Sequence, residues 1–178
     1  MGPKHSKTDI LDAALAAALD DGLSRLTFGR LAKRLGISDR TIVYYFPSKD
    51  ELVGEVIVAM GLRLQEALAT AFTLPAKDHR QLMAAAWPVV ASPEHDRVFA
   101  LFFEANGLAA VGRDPYRSLV PSLVQAWIDW AAEFIEGTPA RRRAEAETAI
   151  ALLDGLLLLR QLGGPEAAER AARAVGIG

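Results

Sequence analysis

The chain has 178 residues, 51% of them hydrophobic, with 20 Lys+Arg against 22 Asp+Glu and a formal charge of −2. That length and hydrophobic content support a packed core and exclude a disordered or low-complexity chain. With no cysteine, disulfide frameworks, thiol nucleophiles, Fe–S clusters and cysteine-bearing zinc sites are all excluded. The slightly acidic total argues, on average, against a nucleic-acid binder, but an average conceals position.

Lys4 and Lys7 followed by apolar Ala13–Leu19 resemble a signal peptide only in outline. Asp12, Asp20 and Asp21 hem the run, and no cleavage pattern follows. The most apolar stretch, Ala149–Leu159, holds Asp154, meets Arg160 and is too short to span a bilayer. A cytoplasmic protein without a membrane partner is expected.

Strand signals are missing, and Ala and Leu recur at helical spacing, so the expected class is all-α with about nine helices. A first helix is predicted over Thr8–Asp20, with Thr8 as N-cap and Gly22 just past its end. A second covers Phe28–Leu35 between Thr27 and Gly36. A third covers Asp39–Tyr45, capped by Ser38 and stopped by Pro47. Ser48 caps a long fourth, whose Val53, Ile57, Met60, Leu64, Leu68 and Ala71 form an apolar stripe before Leu74–Pro75.

Further helices are predicted over Asp78–Ala91, Glu94–Val111, Tyr116–Glu136, Ala140–Leu162 and Glu166–Val175. Pro93 opens the second of these, and Pro88 interrupts the first. Glu133, Glu136, Glu145 and Glu147 are read as solvated helix faces. Arg141, Arg142 and Arg143 are read as a surface run, although a helix start is an unfavourable place for three cations.

The turn Leu35–Gly36–Ile37–Ser38 between two short helices has helix-turn-helix spacing. Gly36 supplies a positive φ, Ile37 pins the corner, and small Ala32 permits close approach. Leu31, Leu35, Ile42 and Val43 are the expected apolar contacts between the two helices. Residues 25–49 carry Arg25, Arg30, Lys33, Arg34, Arg40 and Lys49 against Asp39 alone, a local +5 that leaves −7 elsewhere. Such a cluster suits phosphate binding, which draws its affinity from counterion release.

The stretch Leu26–Leu52 resembles the DNA-binding domain of the TetR (tetracycline-repressor-like) family of bacterial transcriptional regulators. The resemblance lies in Leu31–Ala32, the Gly36–Ile37–Ser38 turn, Thr41, Tyr45–Phe46 and the Ser48–Lys49 start with Leu52. It covers about the first third of the chain, and the rest agrees only in architecture. It implies phosphate contacts at Thr27, Tyr45 and Lys49, and a groove-facing set of Asp39, Arg40, Thr41 and Tyr44. Arg30 and Ser38 complete the expected DNA-binding set. Ile42 and Phe46 are expected in the core. Many relatives carry Gly where this chain has Arg40, and Tyr where it has Val43. The first change adds a base reader, because a guanidinium can bond a guanine edge in a bidentate pair; the second removes a hydroxyl.

The domains expected are a helix-turn-helix DNA-binding domain over 1–47 and a helical ligand-binding and dimerisation domain over 48–178. A single helix-turn-helix reads few base pairs, so a homodimer on a palindromic double-stranded operator is expected. Its surface is placed on the helices near 116–136 and 140–162, where Ala149–Leu162 is apolar nearly all round and Gly155 permits close approach. Trp87, Phe99, Phe103, Trp127 and Trp130, with Glu104 and Asn106, are the candidate lining of an effector pocket. Phe102, Gln125, Asp129 and Asp154 are secondary candidates, and the same aromatic stripe also reads as plain core. The expected function is a ligand-responsive regulator, a repressor released by a small apolar or amphipathic effector. The alternative is a helical ligand-binding or protein-interaction module without operator-specific binding. No cofactor, metal site or enzymatic constellation is expected: His5, His79 and His95 lack metal spacing.

Overall fold

The computed structural model describes residues 6–73 and 75–177. His5, and Leu74 of the expected Leu74–Pro75 helix stop, lie outside the described residues. Among those described, nine α-helices form an all-α fold: α1 Lys7–Asp21, α2 Phe28–Leu35, α3 Asp39–Tyr45, α4 Lys49–Ala69, α5 His79–Val90, α6 Asp96–Ala110, α7 Tyr116–Ala132, α8 Pro139–Gly163 and α9 Pro165–Ala174. Short 3₁₀ turns at Leu23–Arg25 and Pro93–His95 precede α2 and α6.

Two compact units divide the chain. The first is Met1–Arg63 with Leu101–Val120; the second is Leu64–Ala100 with Pro121–Gly178.

In the first unit, α1 packs on α2 and α2 on α3. Ser6, not Thr8, caps α1: the Asp9 N–H donates to Ser6 Oγ at 3.1 Å, and the Ser6 N–H donates to Asp9 at 2.8 Å. This reciprocal box needs an acid three residues after the cap, which Ser6 has and Thr8 does not. Gly36 ends α2 in the left-handed region at φ 65°, where a β-carbon is strained. Ile42 and Phe46 are fully buried, as are Ile10, Leu23 and Leu52. Lys7 pairs with Glu55 at 2.6 Å and lies 5.1 Å from the Phe46 ring centroid.

In the second unit, α8 packs against α5 and α9. The Thr138 hydroxyl caps α8, accepting the Arg141 N–H at 3.4 Å. Arg160 is buried and forms a two-pronged pair with Asp96 at 2.6 and 3.1 Å, geometry that offsets the desolvation of its guanidinium.

Several boundaries move. Helix α4 stops at Ala69, where the Thr70 hydroxyl donates to the Ala67 carbonyl, rather than running to Leu74. Helix α7 stops at Ala132, short of Glu136, because the chain there turns to extended pairing with Ala76. The Ala76 N–H donates to the Phe134 carbonyl at 2.7 Å, and the Glu136 N–H to the Ala76 carbonyl at 2.9 Å. Pro93 opens a 3₁₀ turn, and α6 proper begins at Asp96. Pro88 lies in the last turn of α5.

Candidate nucleic-acid interface

Helix α3 is amphipathic in a single turn. Ile42 is 0% exposed, whereas its neighbour Tyr44 is 79% exposed. Burial of Ile42 and Phe46 fixes the rotation of α3, and that rotation turns Asp39, Arg40 and Tyr44 outward. Thr41 and Tyr45 are half-buried on the flanks. The Tyr44 ring meets Tyr45 edge to face, centroids 5.0 Å apart, so two phenols stand together at the helix end. Val43 is 44% exposed; it is an outward apolar residue, not the inter-helix contact expected of it.

The caps shape the polar groups. Thr27 Oγ1 accepts the Arg30 N–H at 3.3 Å, which leaves the hydroxyl proton to donate outward. Ser38 makes no capping bond. Its hydroxyl is instead 3.1 Å from the Thr41 hydroxyl, so one of the two has a donor to spare. Ser48 Oγ accepts the Glu51 N–H at 3.1 Å and leads α4, whose first residue is the exposed Lys49. A helix start attracts phosphate through its free N–H groups and dipole. Here Asp50 and Glu51 occupy that first turn, so Lys49 carries the favourable charge.

Arg30, Arg40 and Lys49 are all exposed, and none has an ion-pair partner among the described residues. Asp39 stands beside Gly29 of α2, where a β-carbon would lie 3.8 Å from its carboxylate. Thr27, Arg30, Ser38, Asp39, Arg40, Thr41, Tyr44, Tyr45 and Lys49 therefore all lie on the first unit, on α2, α3, their caps and the start of α4.

The candidate effector residues are divided. Phe103, Glu104 and Asn106 belong to the first unit; Trp87, Phe99, Trp127 and Trp130 belong to the second. The structure joins Trp127 and Trp130 at 5.3 Å, and Trp130 continues to Phe134 at 4.9 Å and Phe72 at 5.8 Å. Trp87 is buried and its indole N–H donates to Glu169 at 3.0 Å. Phe99 is buried, and Phe103 packs edge-on to Phe102. Asn106 Oδ1 is buried without a hydrogen-bond partner among the described residues.

Glu104 has structural partners that sequence reasoning missed. Its carboxylate accepts the Leu23 N–H, the Ser24 N–H and the Ser24 hydroxyl. Those bonds hold its pKa below the ordinary 4.5, although burial pulls the other way. Gln125 and Asp129 bind Arg143. Asp154 makes no comparable pairing among the described residues, and burial pushes its carboxyl up to about 6.

Arg141 and Arg143 of the arginine run lie on the surface, as expected, and are also paired. Arg143 also meets Glu147 at 3.1 Å, and Arg141 donates to the Lys77 carbonyl at 3.0 Å. Arg142 Nε is buried without a partner among the described residues. Glu145 accepts from His79 Nδ1 at 2.6 Å and from the His79 N–H at 2.9 Å, so it is not simply a solvated face; Glu147 is exposed, as expected. Among the described residues, no group of three His, Asp or Glu is arranged to hold a metal ion, and no helix is long and apolar enough to cross a membrane.

Two short helices joined by a left-handed glycine turn, the second presenting Arg40 and Tyr44, define a helix-turn-helix DNA-binding domain. Residues 10–56 match the family model of bacterial regulatory proteins of the tetR family. No curated protein is similar enough in sequence to match. Among solved structures, one described as a TetR-family transcriptional regulator from Rhodococcus sp. is 18% identical with a TM-score of 0.75, covering 97% of this chain and 98% of its own. A TetR transcriptional regulator from Legionella pneumophila is 22% identical with a TM-score of 0.64, covering 98% and 97%. A transcriptional regulator from Saccharomonospora viridis, in complex with choline, is 19% identical with a TM-score of 0.69, covering 94% and 95%. Residues 10–56 are thus similar to the DNA-binding domain of the tetR family, and the chain as a whole shares the all-α fold of these solved structures.

Proposed function

We propose that this protein is a ligand-responsive transcriptional repressor that binds a palindromic operator as a homodimer. The observation that carries the reading is α3, anchored by fully buried Ile42 while Arg40 and Tyr44 project outward. In this reading α2 crosses the DNA backbone and α3 enters the major groove by its N-terminal part. Arg40 reads a base edge, Asp39, Thr41 and Tyr44 face the groove, and Thr27, Arg30, Ser38, Tyr45 and Lys49 hold phosphates. Residues 1–47 serve as the reading head, and 48–178 as the effector and dimerisation domain.

Support for a dimer comes from α8. Leu152, Leu158, Leu159 and Leu162 are exposed, and a β-carbon built on Gly155 meets nothing within 4 Å. These positions recur at helical spacing, so they form one apolar face that an isologous partner helix would cover. The effector is a small apolar or amphipathic molecule held by the aromatic side chains. That the Saccharomonospora viridis regulator binds choline supports a small organic ligand for this fold. Effector binding shifts α4 and alters the separation of the two heads, and operator affinity falls by the effector's differential affinity for the two states. The protein acts in the cytoplasm and performs no catalysis.

Genomic binding selection with the purified protein tests this. The expected result is an inverted repeat with half-sites about 34–36 Å apart or a multiple of it, bound with an affinity that falls steeply with salt. Recovery of no DNA, or binding indifferent to salt, overturns it.

A further inference from the structure

The first unit holds a second cationic feature, separate from α3. The end of α1, the Leu23–Arg25 turn and α2 enclose a cleft of about 400 Å³. Its floor includes buried Leu31, and its rim carries Arg25, Arg30, Lys33 and Arg34 with a single carboxylate, Asp21. Arg34 is already held by Asp20 at 3.0 Å. Arg25, Arg30 and Lys33 are exposed and have no ion-pair partner among the described residues. Three uncompensated cations around one concavity repel one another, and an anion seated between them relieves that repulsion. The apolar floor suits a ligand whose charges alternate with carbon, such as a sugar–phosphate chain, better than a bare ion.

Arg30 decides the source of that anion. It lies in the first turn of α2, where its N–H meets the Thr27 cap, so the cleft is continuous with the face assigned to DNA. We propose that the cleft seats the DNA backbone just outside the operator half-site, with Arg25 and Lys33 as sequence-independent phosphate contacts. Asp21 is the one carboxylate in the lining and opposes phosphate next to it. The proposal rests on the DNA-binding reading and extends its footprint beyond the helix-turn-helix.

The test uses the duplex recovered by genomic selection in two forms, one ending at the half-sites and one extended by about one helical turn on each side. Wild type should bind the extended duplex about tenfold more tightly. Removing one cation from a phosphate lowers the slope of log affinity against log salt by about 0.9. The R25Q/K33Q dimer should therefore show a slope shallower by about 3 to 4 on the extended duplex and bind the short one as wild type does. Both side chains are exposed, so the helical circular-dichroism signal should be unchanged, and the single variants should each show about half the effect. Flank dependence retained in the double variant overturns the proposal. So does an equal weakening on both duplexes, which would place the cleft inside the half-site. Tripolyphosphate titrated calorimetrically is the third arm: tight binding to wild type but not to R25Q/K33Q, without flank dependence, assigns the cleft to a soluble polyanion and overturns the DNA seat. If wild type binds neither duplex, the DNA-binding reading itself falls, and the seat falls with it.

Discussion

The carboxylate of Glu104 accepts the backbone N–H of Leu23 at 2.8 Å, joining α6 to the turn that precedes α2 across 81 positions of sequence. The same carboxylate takes the Ser24 N–H at 2.9 Å. It therefore caps the 3₁₀ turn Leu23–Arg25 from a distant helix, where the turn has no side-chain cap of its own. Gly22 makes room for it: at φ +88°, a β-carbon there would lie 2.9 Å from Glu104 Oε2.

Removing that carboxylate leaves two backbone donors without their partner. Glu104→Ala should cost about 1–3 kcal/mol of folding stability, and Ser24→Ala, which removes only the hydroxyl bond, about 1 kcal/mol. The pH dependence follows from the lowered pKa of Glu104. The folded state holds the carboxylate charged to lower pH than the unfolded state does. Its contribution is thus complete above about 4.5 and is lost as pH falls through the depressed value. Urea midpoints measured across that acid range should fall less steeply for Glu104→Gln than for wild type; parallel curves would count against the cap.

Asp154 behaves in the opposite sense. Burial alone raises its carboxyl from 3.8 to about 6. Between those values the folded state binds more protons than the unfolded one, so stability falls as pH rises through the window, and the cost is complete above about 6. Asp154→Asn should therefore stabilise the protein by about 1–2 kcal/mol at neutral pH, and by much less near the lower end of the window. Thermal or denaturant unfolding at the two pH values measures the difference. An equal effect at both would show that charge burial is not the cause.

Neighbouring residues of α3 should separate stability from recognition. Ile42→Ala opens a cavity at a fully buried position and should cost about 2–4 kcal/mol. Tyr44→Ala, at an exposed position, should change stability by less than about 0.5 kcal/mol. The same Tyr44 variant should weaken binding of the selected duplex about tenfold, or about 1.4 kcal/mol. Fluorescence titration of that duplex, alongside the melting curves, checks both halves. A folded Tyr44→Ala variant with wild-type affinity would remove Tyr44 from the interface.

What could be read in the sequence was what neighbouring residues decide. Thr27 and Gly36 bound α2 because a cap and a left-handed turn act within four residues; Pro47 marks the end of α3 just as locally, although Ser38 at its start makes no capping bond. The misplaced start of α1 was also legible, since only Ser6 has an acid at the third position. Distance defeated the rest. The end of α7 depends on Ala76 pairing with Phe134, and no pattern in either segment announces the other. Glu104 looked like a pocket acid because its partners, Leu23 and Ser24, are backbone donors that any residue could supply. The Arg141–Arg143 run looked unpaired because Asp129 and Lys77 lie on other elements. Composition misled in one respect only: the acidic total hides the +5 of residues 25–49.

The apolar face of α8 gives the last prediction. Leu162 is 81% exposed, at one end of a face that includes Leu158, Leu159 and the open Gly155. An exposed face of four leucines is costly in water and favours association. Leu158→Glu with Leu162→Glu should leave each chain folded, because both side chains are exposed, yet shift the species seen by analytical ultracentrifugation from dimer to monomer. Operator affinity should fall with it, since one head holds only one half-site. Gly155 sharpens the test. In an isolated chain, Gly155→Ala should stabilise α8 by about 1 kcal/mol, because the helix gains propensity and nothing stands in the way. In a dimer whose helices cross there, Gly155→Leu should weaken association while leaving the helical signal intact. If both Gly155 variants stabilise the protein and neither alters its association state, the pairing surface does not lie on this face.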